Sequence, residues 1–368
     1  MQSQLGQLFF IGLSGLTLTS QEKKFIVENN IGGVVLFNRN IASVEQLHEL
    51  CTEIQSLRHE MPDKAPICIA IDMEGGRIAR LGVPFTIWPP LKTLGDIDSP
   101  TLSFSFAFAM GTELRAVGIN LNFAPCVDVF TNPQNTIIGD RSVSTDADVV
   151  AKHATALVRG YLKAGVIPCV KHFPGHGNTL VDSHDDLPIE NADLKRLNEV
   201  ELLPFARTFR SKVPMMMTGH LSFPNVDPDW PVTMSEIFLK KIAREQMRYK
   251  GLIIADDLDM RALINHYGTE EIAVRTLQAG ADILLYCNEA DSPARALADV
   301  HKALQDKRID PAQIEASHKR MLDMKQSHLA KPDPFPLNEA LHLAGCAEHQ
   351  RLAQAMKIGR VPDDLKQS

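Results

Sequence analysis

No two of the six cysteines form a CxxC pair: Cys51, Cys68, Cys126, Cys169, Cys287 and Cys346 are scattered, mostly among apolar neighbours. That distribution argues for reduced core thiols and against a disulfide framework or a zinc knuckle. A basic stripe is lacking as well. With 38 Lys and Arg against 45 Asp and Glu the formal net charge is -7, so nucleic acid is not an expected partner. No apolar run approaches the length needed to cross a bilayer as a helix, and no membrane partner is expected. The opening MQSQLGQLFFIGLSGLTLTS holds an apolar patch, yet no cation precedes it, Lys23 being the first, and no small-residue cleavage site follows. It reads as a buried first strand, and a cytoplasmic protein is the expectation. Internal repeats and low-complexity tracts are absent too.

What is present is a series of short apolar runs with helical patterns between them. The runs are Leu8 to Leu13, Gly33 to Phe37, Ile67 to Ile71, Leu121 to Val129, Val166 to Val170, Met215 to Thr218, Leu252 to Ala255 and Ile283 to Tyr286. Continuous apolar strands suit a sheet covered on both faces, and alternation with helices favours parallel pairing. Eight such units predict an α/β protein with a single (β/α)8 TIM-type barrel. Helices are predicted over Val44 to Leu57, Leu102 to Val117, Ala147 to Lys163, Asp193 to Phe209, Ser235 to Arg248 and Pro311 to Met324. The KPDPFP stretch from Lys331 to Pro336 breaks the pattern, and Leu337 to Met356 reads as one amphipathic helix. The expected division is therefore a barrel over 1–330 and a C-terminal linker, helix and polar tail over 331–368.

Polar residues stand directly after several runs: Asp72, Lys171 with His172, His220 and Asp256. In a (β/α)8 barrel the carboxyl ends of the strands carry the chemistry, so this placement nominates them for a site. The densest stretch is Lys171 to Pro188, KHFPGHGNTLVDSHDDLP, with three histidines, a lysine and two closely spaced glycines. Gly175 and Gly177 allow the backbone to wrap a small molecule, and Asp182 stands where its carboxylate can orient and charge the His184 imidazole. A second dense stretch, GLIIADDLDM from Gly251 to Met260, ends an apolar run in paired carboxylates. Asp257 reads as a capping or supporting acid beside Asp256, because consecutive side chains after a strand diverge. Position leaves His220 divided between lining a pocket and capping a strand, and Glu74 between touching substrate and stabilising a turn. Asp128 reads as a structural hydrogen-bonding group, His176 as an organiser of its loop.

Four motifs together, KHFPGHG followed by DSH, IDMEGGRIAR from Ile71 to Arg80, GDRS from Gly139 to Ser142 and DDL from Asp256 to Leu258, resemble family 3 glycoside hydrolases. The likeness is closest to the single-domain bacterial β-N-acetylglucosaminidases of peptidoglycan recycling, and it runs in family order from the first strand to the last barrel helix. It implies a retaining mechanism on a (β/α)8 barrel with no metal and no cofactor. Residue by residue, it implies Asp256 as nucleophile, His184 as acid/base and Asp182 as its partner. It further implies Asp72, Arg80, Arg141, Lys171 and His172 as the groups that hold the N-acetylglucosamine. Retaining glycosidases ordinarily pair two carboxylates. A histidine with an ordinary pKa of about 6.5 beside a carboxylate can instead be protonated for departure of the leaving group and neutral for activation of water. The chain departs from the family pattern at Asn178, Val143 and Asp259, none of which is a proposed catalytic group.

The implied activity is removal of terminal GlcNAc from muropeptide fragments, GlcNAc-1,6-anhydro-MurNAc with or without peptide, by a monomer whose partner is this carbohydrate. Two other classes compete with it. One is a metal-dependent barrel hydrolase holding zinc through His172, His176, Asp182 and His184, although the early His-x-His pair usual in such barrels is missing. The other is a non-catalytic sugar-binding barrel, against which the joint presence of Asp256, Asp182 and His184 speaks.

Overall fold

In a computed structural model, which describes residues 2–365 apart from Val181 and His184, every one of the eight apolar runs supplies a strand. These are β1 (Phe9–Gly12), β2 (Gly33–Leu36), β3 (Cys68–Ile71), β6 (Leu121–Asn122), β7 (Ile167–Phe173), β8 (Met215–Thr218), β9 (Leu252–Ala255) and β10 (Leu284–Tyr286). A small antiparallel hairpin of β4 (Met73–Gly75) and β5 (Ile78–Ala79) follows β3 directly. The large sheet runs β10-β1-β2-β3-β6-β7-β8-β9 with every pairing parallel. A bridge between Ile254 and Ile283 brings its two outer strands together. Helices cover the outside, as parallel connections require, and the fold is a (β/α)8 barrel.

Two predicted elements differ in extent for identifiable reasons. The run from Leu121 to Val129 forms regular ladder only over Leu121–Asn122, because Pro125 has no N–H to contribute. Asn120 and Asn122 side chains there accept the main-chain N–H groups of Ile69 at 2.9 Å and Met73 at 3.0 Å in place of ladder bonds. The predicted helix from Asp193 to Phe209 is two, Leu194–Glu199 and Leu202–Arg210. In one continuous helix Pro204 would collide with the carbonyl of Val200, and Val200 instead turns out of the helical region with φ -126° and ψ -72°. The stretch near Ser235 to Arg248 winds as a π-helix over Ile237–Gln246.

The C-terminal segment lies against the helices Val44–Ser56 and Pro100–Ala116. Arg58 pairs with Asp333 at 2.8 Å, Phe335 N–H donates to Ala116 O at 3.1 Å, and the Arg115 guanidinium stacks over the Phe335 ring. The single amphipathic helix expected from Leu337 to Met356 is broken into Leu337–Leu343 and Ala347–Lys357. Between them Gly345 has φ 64°, and a Cβ there would sit 1.8 Å from Pro84 O, so only glycine lets the chain turn so close to the loop after β5. From the second helix His349 reaches Glu113 at 2.8 Å, whose other oxygen accepts Thr86 N–H at 3.0 Å. The extension thereby braces the segment that follows Arg80.

Opposite the strand carboxyl ends, Asp282 is fully buried before β10. It accepts hydrogen bonds from Arg244 at 2.5 Å, Arg320 at 2.6 Å, Ser317 at 2.7 Å and Ile253 N–H at 2.8 Å. One carboxylate thus ties two outer helical elements to the sheet. Removing the carboxylate charge leaves the Arg244 and Arg320 guanidinium groups without their counter-ion and buried donors without an acceptor. Asp282→Asn should therefore destabilise the fold by about 3 kcal/mol, read as a lowered urea midpoint with unchanged slope. A midpoint equal to that of the wild type would contradict this assignment.

Candidate active site

The groups that follow the apolar runs meet at one end of the barrel because parallel strands all present their carboxyl ends there. Lys171 and His172 are the exceptions in placement, being inside the extended β7 and not beyond it. Lys171 is almost fully buried, with Nζ 2.6 Å from Asp72 Oδ1 and 2.7 Å from Glu74 Oε1. Burial would push this ammonium down, but Asp72 and Glu74 outweigh it and hold the Lys171 pKa above the usual lysine range. Arg80, at the far end of the hairpin, comes to 3.6 Å from the other Asp72 oxygen and stacks over the Phe37 ring.

Arg141 ends the short 3-10 turn Gly139–Arg141 and forks onto Glu74 through Nε at 3.0 Å and Nη2 at 2.8 Å. Burial opposes ionisation of Glu74, yet Arg141 and Lys171 bring its pKa down to about 2. Arg141 Nη2 also lies 3.3 Å from His172 Nε2. His172 Nδ1 faces Asp128 Oδ2 at 2.8 Å. Its Nδ1 thus faces a carboxylate and its Nε2 a guanidinium nitrogen. Asp128 is fully buried and takes the His176 N–H at 2.6 Å as well. Burial acts against its charge, while His172 and His176 overcome that and keep Asp128 ionised.

Five residues nominated by the sequence, Asp72, Arg80, Arg141, Lys171 and His172, are therefore joined in one network. Glu74 and Asp128, which the sequence left as a turn or substrate residue and a structural acid, prove to be its buried carboxylates. Both carried a readable signal. Glu74 stands two residues after Asp72 in extended chain, which returns it to the same side, and Asp128 is the one charged residue inside the run Leu121 to Val129.

Asp256 follows β9, is partly exposed, and accepts the Asp257 N–H at 2.8 Å. His220 is fully buried; its ring bridges Thr233 Oγ1 at 2.8 Å and the Asp257 carbonyl at 3.0 Å. It braces the turn that presents the nucleophile candidate. His184, expected as the partner of Asp182, lies outside the described residues. The carbonyl of Asp182 accepts N–H groups of Asp185 and Asp186 at 2.9 and 3.0 Å. Ser183 O accepts Ala262 N–H at 3.3 Å, and Asp186 pairs with His266 at 2.5 Å. Both partners belong to the segment downstream of Asp256, so the loop of the proposed acid/base is tied to the strand connection of the proposed nucleophile.

His176 organises this loop: Nδ1 meets Thr179 Oγ1 at 2.6 Å and Nε2 meets Ser183 Oγ at 3.4 Å. Burial and the neighbouring His172 push its pKa down to about 4, so it is neutral in ordinary buffers. Asn178, a departure from the family pattern, bonds Glu190 at 2.7 Å and Thr131 at 3.0 Å, and so pins the loop's first half. Cys126, Asp128 and His172 offer metal-type donor atoms within 4.8 Å of one another. Asp128 is committed there to His172 and His176, and burial followed by Asp128 itself pushes the Cys126 thiol up, which suits an imidazole clamp.

Asp257 accepts Asn288 Nδ2 at 2.7 Å and the Asp259 N–H at 3.1 Å. Burial first, then Asp259 and Asp256, raise its carboxyl pKa to about 7. In the unfolded chain that carboxyl titrates near pH 4. Between those values the unfolded chain has lost a proton that the folded chain keeps, so raising the pH through this window favours unfolding. Asp257→Asn removes the effect. Relative to wild type the variant should gain on the order of 4 kcal/mol between about pH 4 and pH 8, measured by urea unfolding at both ends. Parallel pH dependence of the two proteins would contradict the raised value.

Comparison with known proteins agrees with this geometry. The profile of the glycosyl hydrolase family 3 N terminal domain matches residues 1–324. The chain is 34% identical over 373 residues to beta-hexosaminidase A of Pseudoalteromonas piscicida, covering 94% of this chain and 61% of that protein, so it spans less than two thirds of that relative's length. Among solved structures, a family 3 beta-N-acetylglucosaminidase from Paenibacillus sp. str. FPU-7 superposes with a TM-score of 0.91 at 35% identity, over 98% of this chain and 68% of that one. NagZ from Neisseria gonorrhoeae, in complex with N-trifluoroacetyl-D-glucosamine, superposes with a TM-score of 0.77 at 30% identity, over 96% and 98% of the two chains. With its motifs in order around a (β/α)8 barrel and a family profile matched along 1–324, the chain belongs to glycosyl hydrolase family 3.

Proposed function

We propose that this family 3 glycoside hydrolase is a retaining exo-β-N-acetylglucosaminidase that removes terminal GlcNAc from peptidoglycan fragments, GlcNAc-1,6-anhydro-MurNAc with or without peptide. The observation that carries the reading is the network of Asp72, Arg80, Lys171, Arg141 and His172 beside the turn that presents Asp256. Sugar hydroxyls are recognised by charged donors and acceptors held in place, and this cluster provides both. Beta-hexosaminidase relatives and the N-acylated glucosamine in the Neisseria structure support an acetamido sugar. The peptidoglycan aglycone rests on the sequence motifs. The same reading takes 1–330 as the catalytic barrel and 331–368 as its appended linker, helices and tail, and takes the enzyme as a cytoplasmic monomer.

In the first step the Asp256 carboxylate attacks the anomeric carbon as the bond to the leaving oxygen breaks, and protonated His184 gives that oxygen its proton. A glycosyl ester on Asp256 results. In the second step neutral His184 takes a proton from water, whose oxygen attacks the anomeric carbon and releases Asp256. Asp182 favours the imidazolium in the first step by charge pairing. No metal enters the scheme. Two inversions at one carbon return GlcNAc with its original anomeric configuration.

Two measurements test the reading. A chromogenic N-acetylglucosaminide should be hydrolysed while the matching glucoside and xyloside are poor substrates; equal rates on all three would contradict recognition of the acetamido group. His184→Ala should lose about 10²–10⁴-fold in kcat/KM on a disaccharide with a sugar leaving group. It should lose far less in the first turnover of an activated aryl glycoside, whose phenolate leaves without a proton. Equal losses on both substrates would remove His184 from the general-acid role.

A further inference from the structure

We propose that Glu74 is the positioning residue of the sugar site, holding the sugar-contacting cations in place without touching substrate itself. The inference rests on the reading above, in which Lys171 and Arg141 bond the sugar. Glu74 is 1% exposed, so its carboxylate faces protein and not the cleft. Both oxygens are occupied: Oε1 by Lys171 Nζ at 2.7 Å and Arg141 Nη2 at 2.8 Å, Oε2 by Arg141 Nε at 3.0 Å.

The turn beside it does not depend on that carboxylate. Gly75 with φ 98° and Gly76 with φ 58° make the reversal, and a Cβ on Gly75 would sit 2.5 Å from Pro89 O. What Glu74 adds is attachment across the barrel mouth. Its hairpin carries Asp72 at one end and Arg80 at the other. The carboxylate fastens that hairpin to Lys171 on β7 and to Arg141 on the turn Gly139–Arg141. Through Arg141, whose Nη2 also meets His172 Nε2 at 3.3 Å, it reaches the Nε2 side of that imidazole. Besides His172 and Glu74, Arg141 has the Ile137 carbonyl at 3.3 Å. A guanidinium depends on a planar two-point partner for its direction, and Glu74 is that partner.

The test compares Glu74→Gln and Glu74→Asp with wild type on a chromogenic N-acetylglucosaminide, with N-acetylglucosamine as competitive inhibitor and thermal unfolding alongside. Glu74→Gln should lower kcat/KM and weaken inhibitor binding by roughly tenfold or more. Glu74→Asp, which retains the charge, should restore most of both losses. A merely structural role lowers the unfolding temperature and leaves kcat/KM and the inhibitor constant where they were, and that result would overturn the inference.

Should Glu74→Gln fail to fold, Lys171→Met is compared with the same variant also carrying Glu74→Gln. A further loss of inhibitor binding, through Arg141, supports the assignment; identical kinetics overturn it. Lys171→Met and Arg141→Met both at wild-type kcat/KM would sink the sugar-contact reading itself and this inference with it. Large losses in those two variants beside an unaffected Glu74→Gln would overturn only the role of Glu74.

Discussion

A buried ammonium at the mouth of the barrel is the constraint around which this site is arranged. Lys171 sits almost out of reach of water, and an unpaired charge there would cost several kcal/mol. Asp72 and Glu74 compensate it from the strand-end segment after β3. Two carboxylates about one ammonium then admit a second cation, which Arg141 supplies, and Arg141 in turn faces His172. His172 is completed from below by Asp128. The order of the polar cluster thus follows from charge balance, each group present because its neighbour needs a partner. The rigidity that results is what recognition of a polar, rotatable sugar requires.

The barrel and its site were unequally legible in the sequence. Eight apolar runs with helices between them are enough to propose the barrel, because parallel strands are buried on both faces and signal themselves by composition. Asp72, Lys171, His172 and Asp256 were found by one rule, that polar groups at the ends of such runs share one face. The partners of these groups were hidden for a physical reason. Glu74 meets Arg141 and Lys171 only through closure of the fold, far apart in the chain, so its spacing from Asp72 gives its side of the strand but not its partners. Helix continuity escapes the apolar pattern where a single residue decides: Pro204 splits one predicted helix, and Gly345 splits another.

The departures from the family pattern fall into place as local fittings. Asn178 ties the loop after β7 to Thr131 and Glu190 through the two ends of its amide. Val143 is buried, and its carbonyl stands where a side chain on Gly95 would have to go. Asp259 accepts the Glu289 N–H at 3.2 Å and so joins the connections after β9 and β10. Each lies outside the charge network, which leaves the chemistry of Asp256 to be decided by its own position.

That position makes one claim above the others, that Asp256 forms the covalent bond to the sugar. His184→Ala mixed with an activated aryl N-acetylglucosaminide should be glycosylated and then stall, since the group that activates water is gone. Intact-mass spectrometry should show a single added N-acetylhexosamine, and peptide mapping should place it on Asp256. An adduct on any other residue, or a wild-type product of inverted anomeric configuration, would contradict the account.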